Sequence, residues 1–379
     1  MRIAVVGAGS TGLYLARLLA RQGHAVRLFE RAKRPRTDGC GILLVASGLE
    51  AIAAGGDPAL LQRLLEAGIP VSRFEVRNLR GDTISNTPAD QDPQRLPALL
   101  IERPAILSAL LEGLPAQTLV CGAELCGFSQ EPDGVEATFS DGGHWRGDLL
   151  LAADGIHSRL GRALVPQGRL HYLGDRVWRG VVEDADFCTD GAFYVYARGR
   201  GIYVNAFDLG PDAAGRPRTH WGFFHEEPLP AEAEERRRLL REPIPWQALA
   251  RLDPAAASLI AATPPEAMVA NWSCDIDPLP RLVQGRVALL GDAGHAMSSS
   301  QARGMTAGLE DALCLAEAIA NHPGEPAAAL QAYERERLPI VHGYQQRSRE
   351  VSERVGRRMR PQKAVGQAMA AGAPAAPAA

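Results

Sequence analysis

Three stretches of this chain combine residue types whose spacing has chemical meaning. Gly7-Ala8-Gly9-Ser10-Thr11-Gly12 follows the apolar run Arg2-Ile3-Ala4-Val5-Val6 at once, and Glu30 ends the next apolar run about 20 residues on. Glycines so spaced allow a tight turn off a strand, a close backbone approach to a pyrophosphate and close packing of the next helix. Glu30 is positioned to accept from the hydroxyls of an adenosine ribose. The predicted chemistry is dinucleotide binding. Asp154-Gly155 ends a second apolar run, Leu149-Leu150-Leu151-Ala152-Ala153, and Gly291-Asp292 ends a third, Arg286-Val287-Ala288-Leu289-Leu290. Each carboxylate then lies in the crevice where open α/β sheets bind ligands. Beyond Asp292 a small-residue loop reaches Gly304-Met305, after which Leu309, Ala312, Leu313, Ala316 and Ile319 recur at helical spacing. The free N–H groups of that helix start favour an anion. Taken alone, a Gly-Asp turn between strand and helix is equally compatible with a plain turn; the glycine fingerprint at the other end of the chain tips the reading toward a ligand site.

These groups need a frame, and the pattern supplies one. Residues 2–31 read as a βαβ unit, with Leu13, Ala16, Leu19 and Ala20 on the helix's apolar face and Gly23-His24 ending it. Arg31 to Arg36 is a basic run, read as a solvated loop because Glu30 opposes a 2′-phosphate. Gly39 and Gly41 mark a backbone that passes close to something flat or crowded. Residues 45–70 are expected to be helical, broken at Gly55-Gly56-Asp57-Pro58. Residues 71–85 alternate as a hairpin around Arg80-Gly81-Asp82. Leu99 to Glu102 lead into a helix with Pro104 in its first turn, beside Arg103, which is either a phosphate partner or a surface cation. A meander is expected over 117–141, with strands near Thr118-Leu119-Val120, Glu124 to Phe128 and Val135 to Phe139. Ala231 to Ala250 reads as one charged helix, and the helix from Pro326 is expected to stop at Pro339. From Arg357 the tail is basic, then Ala/Pro-rich, and is expected to be disordered.

Aromatic residues cluster over 170–227. Period-2 spacing groups Tyr194 with Tyr196, Tyr203 with Asn205 and Phe207, and Trp221 with Phe223 and His225. An antiparallel sheet with one packed face and one face over a pocket accounts for this, and core packing is the preferred role for most of these rings.

The totals narrow the function classes. A chain of 379 residues suffices for two domains, and 46% hydrophobic with 22% charged residues is ordinary for a globular protein. A net charge of −3 argues against nucleic acid. No apolar run approaches membrane-span length and no signal-peptide pattern opens the chain, so the expected compartment is the cytoplasm. The 6 cysteines are scattered without metal-ligand spacing, which predicts neither a zinc site nor disulfides.

GAGSTG with Glu30-Arg31, Arg103 within LIERPAIL, ADGIHS and GRVALLGDAGHAM, in this order, resemble the FAD-dependent aromatic hydroxylases of the para-hydroxybenzoate hydroxylase type. The resemblance implies an α/β fold: a Rossmann-like FAD-binding domain (1–70, 98–168 and 272–345) interleaved with an antiparallel β-sheet substrate domain (71–97 and 169–271), then a helical C-terminus and tail (346–379). It implies FAD at Gly7, Gly9, Ser10, Thr11, Gly12, Glu30, Arg31, Gly41, Arg103, Leu125, Asp154, Gly155, Asp292, Gly304 and Met305. It further implies NADH or NADPH as a transient electron donor, in keeping with a single GxGxxG, and O2 and a planar aromatic or heteroaromatic compound as substrates, through a flavin C4a-hydroperoxide. Trp178, Tyr194, Tyr196, Tyr203, Trp221 and Phe223 are candidate substrate contacts. His225 and Arg303 are candidate catalytic groups, a structural role being the favoured one for His225, and His295 is expected to position its loop. One departure stands out: Ser299, Ala302 and Arg303 occupy a stretch where the family carries a proline and a GQG-like loop. A reductase, epoxidase or halogenase-like flavoprotein, or a non-enzymatic FAD-binding protein, are the competing expectations.

Overall fold

The computed structural model describes residues 1–35, 39–90, 92–183 and 186–354. Arg36 of the basic run and the tail from Arg357 lie outside the described residues. Met1–Gly68, Pro93–Gly168 and Pro278–Arg349 form one compact unit, and Ile69–Asp92 with Arg169–Asp277 make most of a second.

In the first unit, six strands lie in the order Val283–Gln284, Val287–Leu289, Leu149–Ala152, Arg2–Val6, Ala25–Glu30, Leu119–Cys121. All neighbours are parallel except the first pair. The central strands are apolar throughout, and Ile3, Ala4, Val5, Leu149, Leu150, Leu151 and Val287 are fully buried, as expected of a parallel sheet covered on both faces. Because Val287–Leu289, Leu149–Ala152, Arg2–Val6 and Ala25–Glu30 are parallel neighbours, their C-terminal ends share one edge of the sheet. Helices Ser10–Arg21 and Gly304–Asn321 cross where a Cβ on Gly308 would collide with Thr11 Oγ1. That contact explains why the second helix carries a glycine there.

The expected meander is displaced. Leu119–Cys121 joins the main sheet, held where Leu28 N–H donates to Thr118 O at 2.8 Å. The meander proper is Leu125–Glu131, Gly134–Phe139 and His144–Gly147. Local alternation cannot tell which partner a three-residue strand will choose.

In the second unit, seven strands follow the order Val269–Ile276, Leu170–Glu183, Pro217–Glu226, Ile202–Pro211, Ala192–Gly199, Arg73–Arg77, Thr83–Pro88. The pairs are antiparallel except Ala192–Gly199 with Arg73–Arg77. Ala248, Leu249, Ala256, Leu259 and Ile260, from helices Trp246–Leu249 and Pro254–Ala261, close one face of this sheet. The single helix expected over Ala231 to Ala250 is instead two, Ala233–Leu239 and Trp246–Leu249. Pro243 and Pro245 lie between them and cannot continue a helix. Pro339, by contrast, does not end its helix, which runs Pro326–Arg354 at the cost of one backbone donor. Among the described residues no helix is long and apolar enough to cross a membrane.

Candidate active site and cofactor cradle

The shared strand edge of the first unit brings most of the predicted cofactor residues together. Gly7 adopts φ +100, and a Cβ there would collide with the Ala153 backbone, which ties the glycine loop to the strand beside it. Gly12 packs so tightly that a Cβ would collide with Gly7 O. Gly9 differs: a Cβ there would meet no protein atom within 4 Å, so this glycine faces open space at the start of helix Ser10–Arg21. No side chain caps that helix start, and its first N–H groups are available to an anion. Glu30 steadies the loop, accepting from Ala8 N–H at 2.9 Å and Ala32 N–H at 2.8 Å. Its carboxylate keeps further lone pairs for hydroxyl donors. Arg31 beside it is exposed.

Asp154 and Gly155 stand at the neighbouring strand end. Asp154 Oδ2 accepts from Arg159 N–H at 3.0 Å, while Oδ1 is buried without a hydrogen-bond partner among the described residues. Burial pushes this carboxyl up, against the pull of Ser158 and Arg159. A Cβ on Gly155, at φ +79, would meet nothing within 4 Å. Asp292 lies at the next strand end, open to solvent on one side and crowded by protein on the others. Crowding raises its pKa, and the positive charges of His295 and Arg103 pull the other way. Arg103 N–H donates to Cys40 O at 3.0 Å, and its side chain packs against Gly39. Gly41 opens the strand Gly41–Leu44, paired to Glu102. Gly304 begins its helix with no side-chain cap, and a Cβ there would find only Asp292 Oδ1, at 3.8 Å. Met305 is half-buried, and Leu125 is buried at the start of its strand.

The departure at Ser299–Arg303 has a visible consequence. Ser299–Gln301 forms a 3-10 turn, and Ala302 takes φ 53, left-handed backbone that glycine holds at lower cost. Arg303, a candidate catalytic group, is half-buried and already engaged by neighbouring side chains. It donates to Ser47 Oγ at 2.7 Å, lies 3.7 Å from Glu310 Oε1 and covers the Tyr344 ring at 5.0 Å. Glu310 balances its charge.

Behind Asp292 lies a group of buried charges that motif reading did not assemble. Asp311, fully buried, accepts from Gly291 N–H at 2.8 Å, meets His295 Nε2 at 2.5 Å and accepts from Arg337 Nε at 2.8 Å. Arg337 also donates to Glu310 at 3.0 Å. Burial disfavours charge on His295, but Asp311, its hydrogen bond and Asp292 outweigh this and raise the pKa. Burial likewise opposes the Asp311 charge, and His295 and Arg337 overcome it, lowering that pKa. The signal was an aspartate on the apolar stripe of its helix, four residues after Ala307 and four before Leu315.

In the second unit the structure corrects the substrate candidates. Trp178, Tyr196, Trp221 and Phe223 are at most 1% exposed and Tyr194 only 6%, all in the core beneath the helices. Side chains alternate between faces, and this set took the helix-covered one. Trp221 Nε1 donates to Thr263 Oγ1 at 2.8 Å, which satisfies its buried N–H. Trp221→Ala is therefore expected to cost about 3–5 kcal/mol of stability, read by chemical denaturation, through the cavity it leaves. His225 shares that face's register and meets Glu227 at 3.2 Å, a structural pairing. Tyr203 alone among the six is half-buried on the opposite face.

Residues 1–348 match the family model described as FAD binding domain. The FAD-dependent urate hydroxylase of Klebsiella pneumoniae subsp. pneumoniae is 32% identical over 348 residues, covering 90% of this chain and 87% of that protein. The chain belongs to the FAD-dependent aromatic hydroxylase family. The 3-amino-4-hydroxybenzoate 2-monooxygenase of Streptomyces cremeus is 30% identical, covering 93% of this chain and 87% of its own. The crystal structure of Klebsiella pneumoniae HpxO complexed with FAD and uric acid matches with a TM-score of 0.81 at 28% identity, over 98% of this chain and 91% of that one. The protein is accordingly an FAD-dependent monooxygenase with the mixed α/β fold of its relatives.

Proposed function

We propose that this monooxygenase draws electrons from NADH or NADPH and uses O2 to add one oxygen atom to a planar aromatic or heteroaromatic small molecule. The observation that carries the reading is the single strand edge on which the open Gly9, Glu30, Asp154, Asp292 and the uncapped Gly304 helix start are neighbours. These residues fit FAD. Gly9 and Gly155 leave a cradle that a side chain would fill, two uncapped helix starts suit anionic or electron-rich groups, and Glu30 and Asp292 suit hydroxyls. When bound, FAD supplies the redox chemistry linking nicotinamide donor to oxygen.

In this reading the N–H groups at Ser10, Thr11 and Gly12, with Arg103, would hold the pyrophosphate. Glu30 and Arg31 would hold the adenosine ribose, Leu125 the adenine, and Gly41, Asp154 and Gly155 would complete the cofactor site. Asp292 would hold the ribityl hydroxyls, and Gly304 and Met305 the flavin's pyrimidine portion. Asp311 and His295 hold Asp292's loop from behind. Relatives named for urate and for an aminohydroxybenzoate support a compact ring substrate.

The test is NADH and NADPH oxidation by FAD-loaded protein under ¹⁸O2, with and without a panel of hydroxybenzoates, purines, hydroxypyridines and quinolones. At least one compound is expected to accelerate oxidation and to gain a single ¹⁸O atom. Acceleration without incorporation would replace the hydroxylase reading with a reductase.

A further inference from the structure

Helix Gly304–Asn321 carries two adjacent acids, Glu310 and Asp311, and one cation from helix Pro326–Arg354 engages both. Arg337 Nε donates to Asp311 Oδ1 at 2.8 Å, while its Nη2 donates to Glu310 Oε2 at 3.0 Å and to Ala307 O at 3.3 Å. The second oxygen of each acid goes elsewhere. Asp311 Oδ2 takes Gly291 N–H at 2.8 Å and His295 Nε2 at 2.5 Å, on the turn that carries Asp292. Glu310 Oε1 accepts from Ser47 Oγ at 3.0 Å and lies 3.7 Å from Arg303 Nη1, in the residue just before Gly304. One guanidinium thus fixes two carboxylates, and each carboxylate holds a different segment of the cofactor cradle. All of these residues belong to the first compact unit.

Arg337 is itself held in place. One turn earlier on its helix, Tyr333 donates its hydroxyl to Leu289 O at 2.8 Å, and Glu334 accepts from Leu282 and Val283 N–H at 2.6 and 2.8 Å. The helix is thereby tied to the strand that leads to Asp292. Burial disfavours charge on Arg337, but Asp311 and then Glu310 outweigh it, so the guanidinium stays charged. From further along the helix, Tyr344 donates to Glu310 Oε2 at 3.2 Å, with Arg303 over its ring. The result is a chain of alternating sign running from Arg303 through Glu310, Arg337 and Asp311 to His295.

Buried ion pairs are a poor source of stability, because removing charges from water costs about as much as their attraction returns. What this chain does fix is geometry. A guanidinium presents donors in several fixed directions and can hold two carboxylates at once, whereas an ammonium is a point charge on a flexible stem. The segments at the two ends already meet, since a Cβ on Gly304 would stand 3.8 Å from Asp292 Oδ1. Resting on the cofactor assignments above, we propose that Arg337 is a positioning residue for the flavin half of FAD: by clamping Glu310 and Asp311 together, it fixes the placement of Asp292 relative to the Gly304 helix start. The adenosine half of the site rests on different bonds, those from Ala8 and Ala32 N–H to Glu30.

The experiment titrates the full-length protein, freed of flavin, with FAD by fluorescence and with ADP by calorimetry; ADP shares FAD's adenosine and pyrophosphate and lacks the flavin. Arg337→Met is expected to weaken FAD at least tenfold while changing ADP less than twofold, with circular dichroism like the parent's. Arg337→Lys is expected to recover part of the loss, because an ammonium can meet one of the two carboxylates. A purely structural role would weaken both ligands together. If Arg337→Met fails to fold, Ser47→Ala carries the test: it removes the half-buried hydroxyl between Glu310 and Arg303 and is expected to weaken FAD about threefold and to spare ADP. FAD affinity like the parent's in the variant that carries the test, or equal loss of FAD and ADP, overturns the assignment. Failure of the cofactor assignments would show separately, in Asp292→Ala, as FAD and ADP affinities both unchanged from the parent.

Discussion

Gly9→Ala is expected to fold like the parent and to bind FAD at least tenfold more weakly, a loss of about 1.4 kcal/mol. The added methyl meets no protein atom within 4 Å, and Gly9 has φ −77 and ψ −177, extended backbone open to any residue. Nothing in the folded chain is disturbed, so a loss of affinity has to come from the ligand that approaches this backbone. Gly12→Ala is the opposite case. Its Cβ would collide with Gly7 O, where backbone cannot retreat, and the expected outcome is loss of soluble folded protein. Flavin retention on gel filtration, with circular dichroism of the same samples, separates the two. Equal FAD affinity in Gly9→Ala and the parent would remove the glycine loop from the cofactor site.

Asp311→Asn is expected to destabilise the FAD-loaded protein by about 3–5 kcal/mol, because it leaves the buried Arg337 charge without its closest counter-ion. The same substitution should change the pH dependence. The folded His295 pKa is raised above the ordinary 6.5, so its contribution is fully present below that pH and is lost as pH rises through the folded value. The folded Asp311 pKa is depressed below 3.8, so its contribution is present above that value and is lost as pH falls through the folded one. Parent protein should therefore weaken on the alkaline side of 6.5. Asp311→Asn should be weaker throughout and flatter there, since the carboxylate that raised His295 is gone. Urea unfolding at several pH values from about 5 to 9 measures both effects. Parallel curves for parent and variant would show that His295 and Asp311 do not share a charge.

The glycine fingerprint, Glu30, Asp154-Gly155 and Gly291-Asp292 were legible in the sequence because their meaning is local. Each follows a short apolar run, and four parallel strands necessarily present their C-terminal ends on one side. The helix from Gly304 was legible for the same reason, its apolar positions recurring at 3.6-residue spacing. Pairing choice was not legible. Leu119–Cys121 went to the parallel sheet and left the meander to later strands, a choice made by contacts about ninety residues away in the chain. Nor was face choice. Trp178, Tyr196, Trp221 and Phe223 alternate as faithfully as Tyr203 and Asn205 do, and period 2 says only that the two sets face opposite ways. Helices Trp246–Leu249 and Pro254–Ala261 packed on the first set made it core, and Gly222 made room for the Asn205 amide on the second. The Asp311–His295–Arg337 assembly belongs to this second kind: three charges from distant segments are stable together only where tertiary packing brings opposite signs within hydrogen-bond reach and shuts out water. By itself the sequence determined the strand ends and the type of cofactor they suit. The tertiary structure alone decided which side chains stay open to a ligand, because burial depends on what packs against a face, and local periodicity carries no record of that.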